Sequence, residues 1–268
     1  MSEHGPRVLA MGDSVTFGVG DGVQWPDGSS GWAAHVATSL GASTYINIAH
    51  NGVRARHLMA SQVPLALSRE PDIVLMTVGG NDVLRGDFSE HEMRDCLHSV
   101  FERLAAPRRE VVMVSLDRIE AFRVLGKRVS AVMNRRVDAA NAAIREACES
   151  SGVLVVDGAE VFGSLGRRAW HMDRLHPSQL GHRAIASRAI EALVSRWEQV
   201  AEPPPERKAP ALPMRAGWLA VYGTSWLAKR SIDLIPDLVS NVRRELRAQP
   251  AVPSRELAHA PASTRGGA

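Results

Sequence analysis

Five short apolar runs, at residues 8–11, 44–48, 73–78, 111–116 and 153–156, set the frame for this chain. They are apolar along their length rather than alternating, the pattern of strands covered on both faces of a parallel sheet. Between them lie longer segments with apolar residues spaced by three and four, at 31–40, 90–104, 129–149 and 178–197. Strands alternating with helices of that length form βαβ units. The expected fold is therefore α/β: a doubly wound, three-layer α/β/α sandwich around a five-stranded parallel sheet, occupying residues 1–200.

The remaining residues read differently. Residues 201–216 form a Pro-rich charged linker, 217–248 an amphipathic helical extension with Pro236 as a break, and 249–268 an Ala/Pro/Ser/Gly-rich disordered tail. The stripe in 217–248 either packs on the main domain or a second subunit, or lies on an anionic membrane surface beside Lys229, Arg230, Arg243, Arg244 and Arg247. Interrupted by Pro236 and carrying Asp233 and Asp237, it favours the packed reading. The formal net charge of +3 is uneven: residues 1–200 carry 22 Lys+Arg against 23 Asp+Glu, and 201–268 carry 10 against 6. A main domain without basic excess argues against nucleic-acid binding. No apolar stretch reaches the roughly 18 residues of a membrane span. The first strand starts too early to leave room for a signal peptide, and Cys96 and Cys148 lack metal-type spacing, so the expectation is a cytoplasmic protein with two buried thiols.

The first strand runs straight into Met11-Gly12-Asp13-Ser14-Val15-Thr16-Phe17-Gly18. Small residues around a serine leave its hydroxyl and backbone N–H open to a ligand. Gly-Asp-Ser turns are common, however, and gain meaning only beside a base and an oxyanion hole. A free serine hydroxyl is a poor nucleophile at neutral pH. The candidate base is His176, in Asp173-Arg174-Leu175-His176-Pro177. Asp173 sits on the same turn, where it can accept from one ring nitrogen and leave the other facing Ser14. Pro177 suits the first position of the helix that follows. Taken alone, this turn favours a metal-ligand pair or a simple surface turn over a catalytic one. Donors for an oxyanion are offered after two further strands. Gly79-Gly80-Asn81-Asp82 supplies a side-chain amide at Asn81, and Asn51-Gly52 a bare backbone N–H at Gly52.

Together these blocks resemble the SGNH hydrolases, the GDSL-type esterase and lipase superfamily, whose marker blocks carry Ser, Gly, Asn and His. Gly12-Asp13-Ser14 with Thr16 and Gly18 matches the first block, Asn51-Gly52 the second, Gly79-Gly80-Asn81-Asp82 the third and Asp173-x-x-His176 the last. The resemblance covers roughly residues 7–197 and implies the flavodoxin-like fold of that superfamily. It implies Ser14 as nucleophile, His176 as general base and then acid, and Asp173 as its orienting partner. The backbone N–H groups of Ser14 and Gly52 and the Asn81 side chain would form the oxyanion hole. No cofactor or metal is called for, and the partner is a small-molecule ester or thioester. Removal of an acetyl or short fatty acyl group leads the possible reactions. A lysophospholipase or thioesterase acting on longer chains is the alternative, suggested by residues 79–86, as is an acyltransferase using the same acyl-serine.

Other features weigh less. The loop Gly18-Val19-Gly20-Asp21-Gly22 lacks the residues of a phosphate-binding motif and reads as a flexible loop over the site. Trp25 and Trp32 either wall a substrate pocket or pack in the core. Asp13, His171 and Arg174 are close enough to the nucleophile or base in sequence to touch substrate.

Overall fold

Each apolar run becomes a strand in the structure, a computed structural model that describes residues 5–21, 30–124, 126–202 and Ser240. In chain order the elements are β1 (Arg7–Gly12), α1 (Ser14–Phe17), α2 (Trp32–Ser39), β2 (Thr44–Asn47), α3 (Ala55–Ser61), α4 (Val63–Ser68), β3 (Ile73–Thr77) and α5 (Gly80–Val83). They continue with α6 (Glu90–Leu104), β4 (Glu110–Val114), α7 (Glu120–Val124), α8 (Lys127–Ser151), β5 (Leu154–Val156), α9 (Gly158–Gly163), a 3-10 turn at Gly166–Ala169 and α10 (Gln179–Leu193). All strand pairs are parallel, in the order β2-β1-β3-β4-β5. That is the flavodoxin-like winding, in which ligands bind beyond the carboxyl ends of the strands where the order reverses, here between β1 and β3.

The alternation hidden within the apolar runs divides the core in two. Leu9, Met11, Val74, Met76 and Met113 face a cluster with Leu58, Met93, Leu97, Phe101, Met133 and Ile144. The intervening Val8, Ala10, Ile73, Leu75, Val112 and Val114 face Trp32, Val36, Ile185, Ile190 and Leu193. In the inner strands β1, β3 and β4 both faces are buried, so there is no solvent side on which polar residues could sit; the edge strands β2 and β5 are partly exposed. Each fully buried aliphatic side chain adds about 1.5–3 kcal/mol.

Several boundaries differ from the sequence expectation. The crossover between β2 and β3 is helical as well, α3 and α4 meeting at Gln62, with Pro64 placed in the first turn of α4 where its missing N–H costs nothing. Helix α10 stops at Leu193, and the chain beyond it is tied back when the N–H groups of Val200 and Ala201 both donate to Ser39 O (2.8 and 3.2 Å). Cys148 is buried and its thiol is pushed up to about 12 by burial, whereas Cys96 is only half-buried, packed against the edge of the core. Among the described residues no helix is long and apolar enough to cross a membrane. From residue 203 onward the expected linker, helical extension and tail lie outside the described residues, Ser240 excepted.

Candidate active site

The nucleophile's position is built backwards from Gly12. A Cβ there would lie 2.2 Å from the Thr77 carbonyl oxygen, and φ is +116°, so only glycine lets β1 end this close to β3. Buried Gln62 grips the same residue from below. Its Oε1 accepts from the Gly12 N–H (2.6 Å) and its Nε2 donates to the Gly12 carbonyl (3.0 Å). The Asp13 N–H then donates to Thr77 O (2.9 Å), and the Asp13 carboxylate caps α1 by accepting from the Val15 N–H (3.0 Å). Ser14 is the first residue of α1, where the backbone N–H has no intrahelical acceptor. Asp13, expected among the substrate contacts, is 2% exposed and turned onto the backbone, where it caps a helix. Burial pushes its carboxyl up to about 7, and the nearby charge of Asp82 adds to the shift.

The base comes from a tight loop between the 3-10 turn and α10. Trp170 and Pro177 form an isolated antiparallel bridge, the His171 N–H donates to His176 O (2.9 Å), and the Arg174 N–H donates to His171 O (2.9 Å). Arg174 adopts φ +57°, a left-handed conformation held in place when its carbonyl accepts from the Ala121 N–H (3.0 Å). That turn aims Asp173 inward. Its Oδ1 accepts from the N–H groups of Leu175 (2.9 Å) and His176 (3.0 Å), and its Oδ2 lies 2.8 Å from His176 Nδ1 and 3.3 Å from His171 Nδ1. Burial alone would raise the Asp173 carboxyl. The hydrogen bonds from His171 and His176 outweigh it and hold the group far below the usual carboxylate range. The other nitrogen of His176, Nε2, is 2.9 Å from Ser14 Oγ. Both contacts suit a neutral imidazole with its proton on Nδ1.

Pro177 lies two residues before the first helical position expected for it, which Gln179 takes. Ser178 is the N-cap of α10, accepting from the Gly181 N–H, because Pro177 is already engaged in the bridge to Trp170. Deeper in α10, fully buried His182 accepts from the Trp32 N–H at Nδ1 (3.2 Å), and its Nε2–H donates to Val19 O (2.9 Å). Burial pushes this ring down to about 4, so it is neutral and joins both ends of the 19–32 segment to the base helix. The expected flexible loop is closely packed where it is described: a Cβ on Gly20 would lie 2.0 Å from Pro177 O.

The two remaining candidates follow the strands on either side of β1. Gly52 sits in the turn after β2 with φ +85°, and Asn81 lies in α5 just beyond β3. The Asn81 side chain donates to Val53 O (3.1 Å), drawing the two loops together. Trp32 is completely buried in the core between sheet and α10, so of the two expectations for it the packed one holds. His171 contacts Asp173, and Arg174 is exposed at the crest of the turn. Trp25 lies outside the described residues. Among the described residues no group of three or more His, Cys, Asp or Glu side chains is arranged to hold a metal ion. Gln62 and His182 escaped the sequence reading, since neither stands in a motif and each acts on residues far away in the chain.

Similar solved structures include the acetylxylan esterase Axe2 from Geobacillus stearothermophilus, at 22% identity over 74% of this chain and 97% of that one, with a TM-score of 0.59. LAE5, an α/β hydrolase from the metagenome of Lake Arreo, Spain, is similar at 23% identity over 70% and 95% of the two chains, with the same TM-score. These likenesses show the fold. No curated protein matches the chain. The family model of the GDSL-like lipases and acylhydrolases matches residues 10–184, a span that holds Ser14, Gly52, Asn81, Asp173 and His176. The chain therefore belongs to the GDSL-like lipase/acylhydrolase family and is a carboxylic ester hydrolase.

Proposed function

We propose that the chain removes an acetyl or short fatty acyl group through a covalent acyl-enzyme on Ser14. The observation that carries this reading is the unbroken relay Asp173 Oδ2–His176 Nδ1 (2.8 Å) and His176 Nε2–Ser14 Oγ (2.9 Å). In the forward step His176 takes the Ser14 proton as Oγ attacks the ester carbonyl, then returns it to the departing alcohol. Water, activated by the same imidazole, releases the acyl group and restores the serine. Asp173 remains ionised throughout, holding the tautomer and stabilising the imidazolium. The N–H groups of Ser14 and Gly52 and the second amide N–H of Asn81 would receive the oxyanion.

Two further points support the assignment. Structures similar to this chain include catalytic mutants of the Geobacillus acetylxylan esterase altered at a serine, an aspartate and a histidine, the last two separated by three positions, as Asp173 and His176 are. That protein's acetyl ester substrate is also what favours a short acyl group here. The test is labelling by a fluorophosphonate probe, followed by a p-nitrophenyl ester panel from acetate to palmitate. Wild type should be labelled, lose the label in Ser14→Ala, and turn over acetate and butyrate fastest. Labelling that survives Ser14→Ala would defeat the nucleophile assignment, and a preference for long chains would favour the lysophospholipase reading.

A further inference from the structure

Gly52 and Asn81 follow strands on opposite sides of β1, so their loops leave the sheet about two strand spacings apart, on the order of 9–10 Å. Donors to a single oxyanion each lie about 3 Å from it, and hence within roughly 6 Å of one another. The two loops must therefore be drawn together over the end of β1, and one contact from Asn81 to Val53 is slender means for doing so. Immediately next to both donors lies a second set of bonds. The Asp82 carboxylate accepts from the Ala55 N–H at both oxygens (3.3 and 3.2 Å) and from Arg54 Nε (3.4 Å). The Arg54 guanidinium continues to Asp87 (2.9 and 3.2 Å), which lies on the same loop as Asp82. The side chains of Arg54 and Asp82 are only 12% and 6% exposed, so solvent screens this pair far less than a surface one.

We propose that Asp82 and Arg54 are positioning residues, a clamp between the 51–55 and 79–87 segments that sets the spacing of the two oxyanion donors. The inference rests on the acyl-transfer reading of the site. Neither residue touches the reacting atoms. Asp82 directly follows Asn81 and bonds the backbone three residues beyond Gly52, so a change in the clamp moves the donors relative to each other and leaves the Ser14–His176–Asp173 relay as it is. It acts on the transition state, where the oxyanion forms, and little on substrate binding.

The test is a set of kcat and KM values on p-nitrophenyl acetate for Asn81→Ala, Asp82→Asn, Arg54→Gln and Arg54→Lys, for each clamp variant combined with Asn81→Ala, and for the surface control Arg94→Gln. Thermal melts establish folding. Asp82→Asn and Arg54→Gln should each lower kcat roughly tenfold with KM within about twofold, as expected for a small misplacement of a transition-state donor. Arg54→Lys should recover part of the loss, since it keeps a charge beside Asp82. With Asn81→Ala already present, Asp82→Asn should cost less than about twofold more, because the donor it positions is gone. An equal loss in both backgrounds, a change in KM alone, or no change overturns the clamp while the oxyanion reading stands. An Asn81→Ala enzyme with unchanged kcat overturns the oxyanion reading and the clamp with it. If Asp82→Asn does not fold, the Arg54 pair carries the same coupling test.

Discussion

The two turns that meet at Ser14 Oγ each carry a largely buried aspartate, and the two carboxyls are shifted in opposite directions. Asp13, at the end of β1, caps α1 through the backbone N–H groups of Val15 and Thr16 and has Asp82 for a neighbour, and its carboxyl is pushed up to about 7. Asp173, before α10, receives two backbone N–H groups and lies within reach of two imidazoles, and it is held well below its ordinary range. Burial favours the neutral form of both. What separates them is the neighbours: two imidazoles lie beside Asp173, whereas Asp13 has the like charge of Asp82. The comparison teaches that this site spends its charge-stabilising groups on the base, and builds the nucleophile turn from backbone contacts around Gly12.

The sharpest way to break the comparison is to remove the charge from the base turn. Asp173→Asn keeps the shape of the turn but favours the wrong tautomer of His176, and should lower kcat by roughly 10³–10⁴. A loss of only a few-fold would show that the donors around Asp173 serve the fold and not the base. On the nucleophile side, Gln62→Leu removes both bonds to Gly12 while conserving bulk. It should cost about 1–3 kcal/mol of stability in urea unfolding, the usual result of leaving a buried backbone group unsatisfied. An unchanged midpoint would mean that the backbone bonds to Thr77 and His50 secure the end of β1 without Gln62.

A subtler contrast lies in pH dependence. The unfolded Asp13 carboxyl gives up its proton near its ordinary 3.8 and the folded one near 7, so the folded protein loses stability as pH rises through that interval. His182, on the base side, runs the other way. Its ordinary value is 6.5 and its folded value about 4, so stability is lost as pH falls between them. Asp173, depressed further, adds stability that is present above 3.8 and lost only as pH falls through its low folded value. Between about pH 4 and 6.5 the Asp13 and His182 slopes oppose each other. Asp13→Asn, whose amide oxygen can still cap α1, should remove one of them, so that the melting temperature climbs more steeply with pH than in wild type and stays higher at pH 8. His182→Gln should flatten the acid side instead. Parallel profiles for wild type and Asp13→Asn would mean that Asp13 does not change its ionisation on folding.

Much of this molecule was legible in its residues. Runs apolar on both faces can only be strands covered on both sides, and their alternation with helical periods leaves few ways to wind the sheet. The Gly-Asp-Ser turn, the Gly-Gly-Asn-Asp turn and the Asp-x-x-His turn are local, and short-range sterics place each at the end of a strand or the start of a helix. Helices α3 and α4 were missed because Gln62 interrupts their period. Trp32 stayed ambiguous because the same residue serves equally well in a wall or a core.

The sequence by itself determined the fold class and the residue types that supply nucleophile, base and oxyanion donors, because those follow from local periodicity and local turn chemistry. Only the tertiary structure decided which of them meet. Ser14 and His176 are 162 positions apart, and it is the parallel winding of the sheet, with β1 between β2 and β3, that brings His176 to 2.9 Å from Ser14. The same holds for Gln62 beneath Gly12, His182 beneath Trp32 and Arg54 beside Asp82. A buried polar side chain is defined by the partner that satisfies it, and that partner is chosen by the packing of distant segments, which no local pattern encodes.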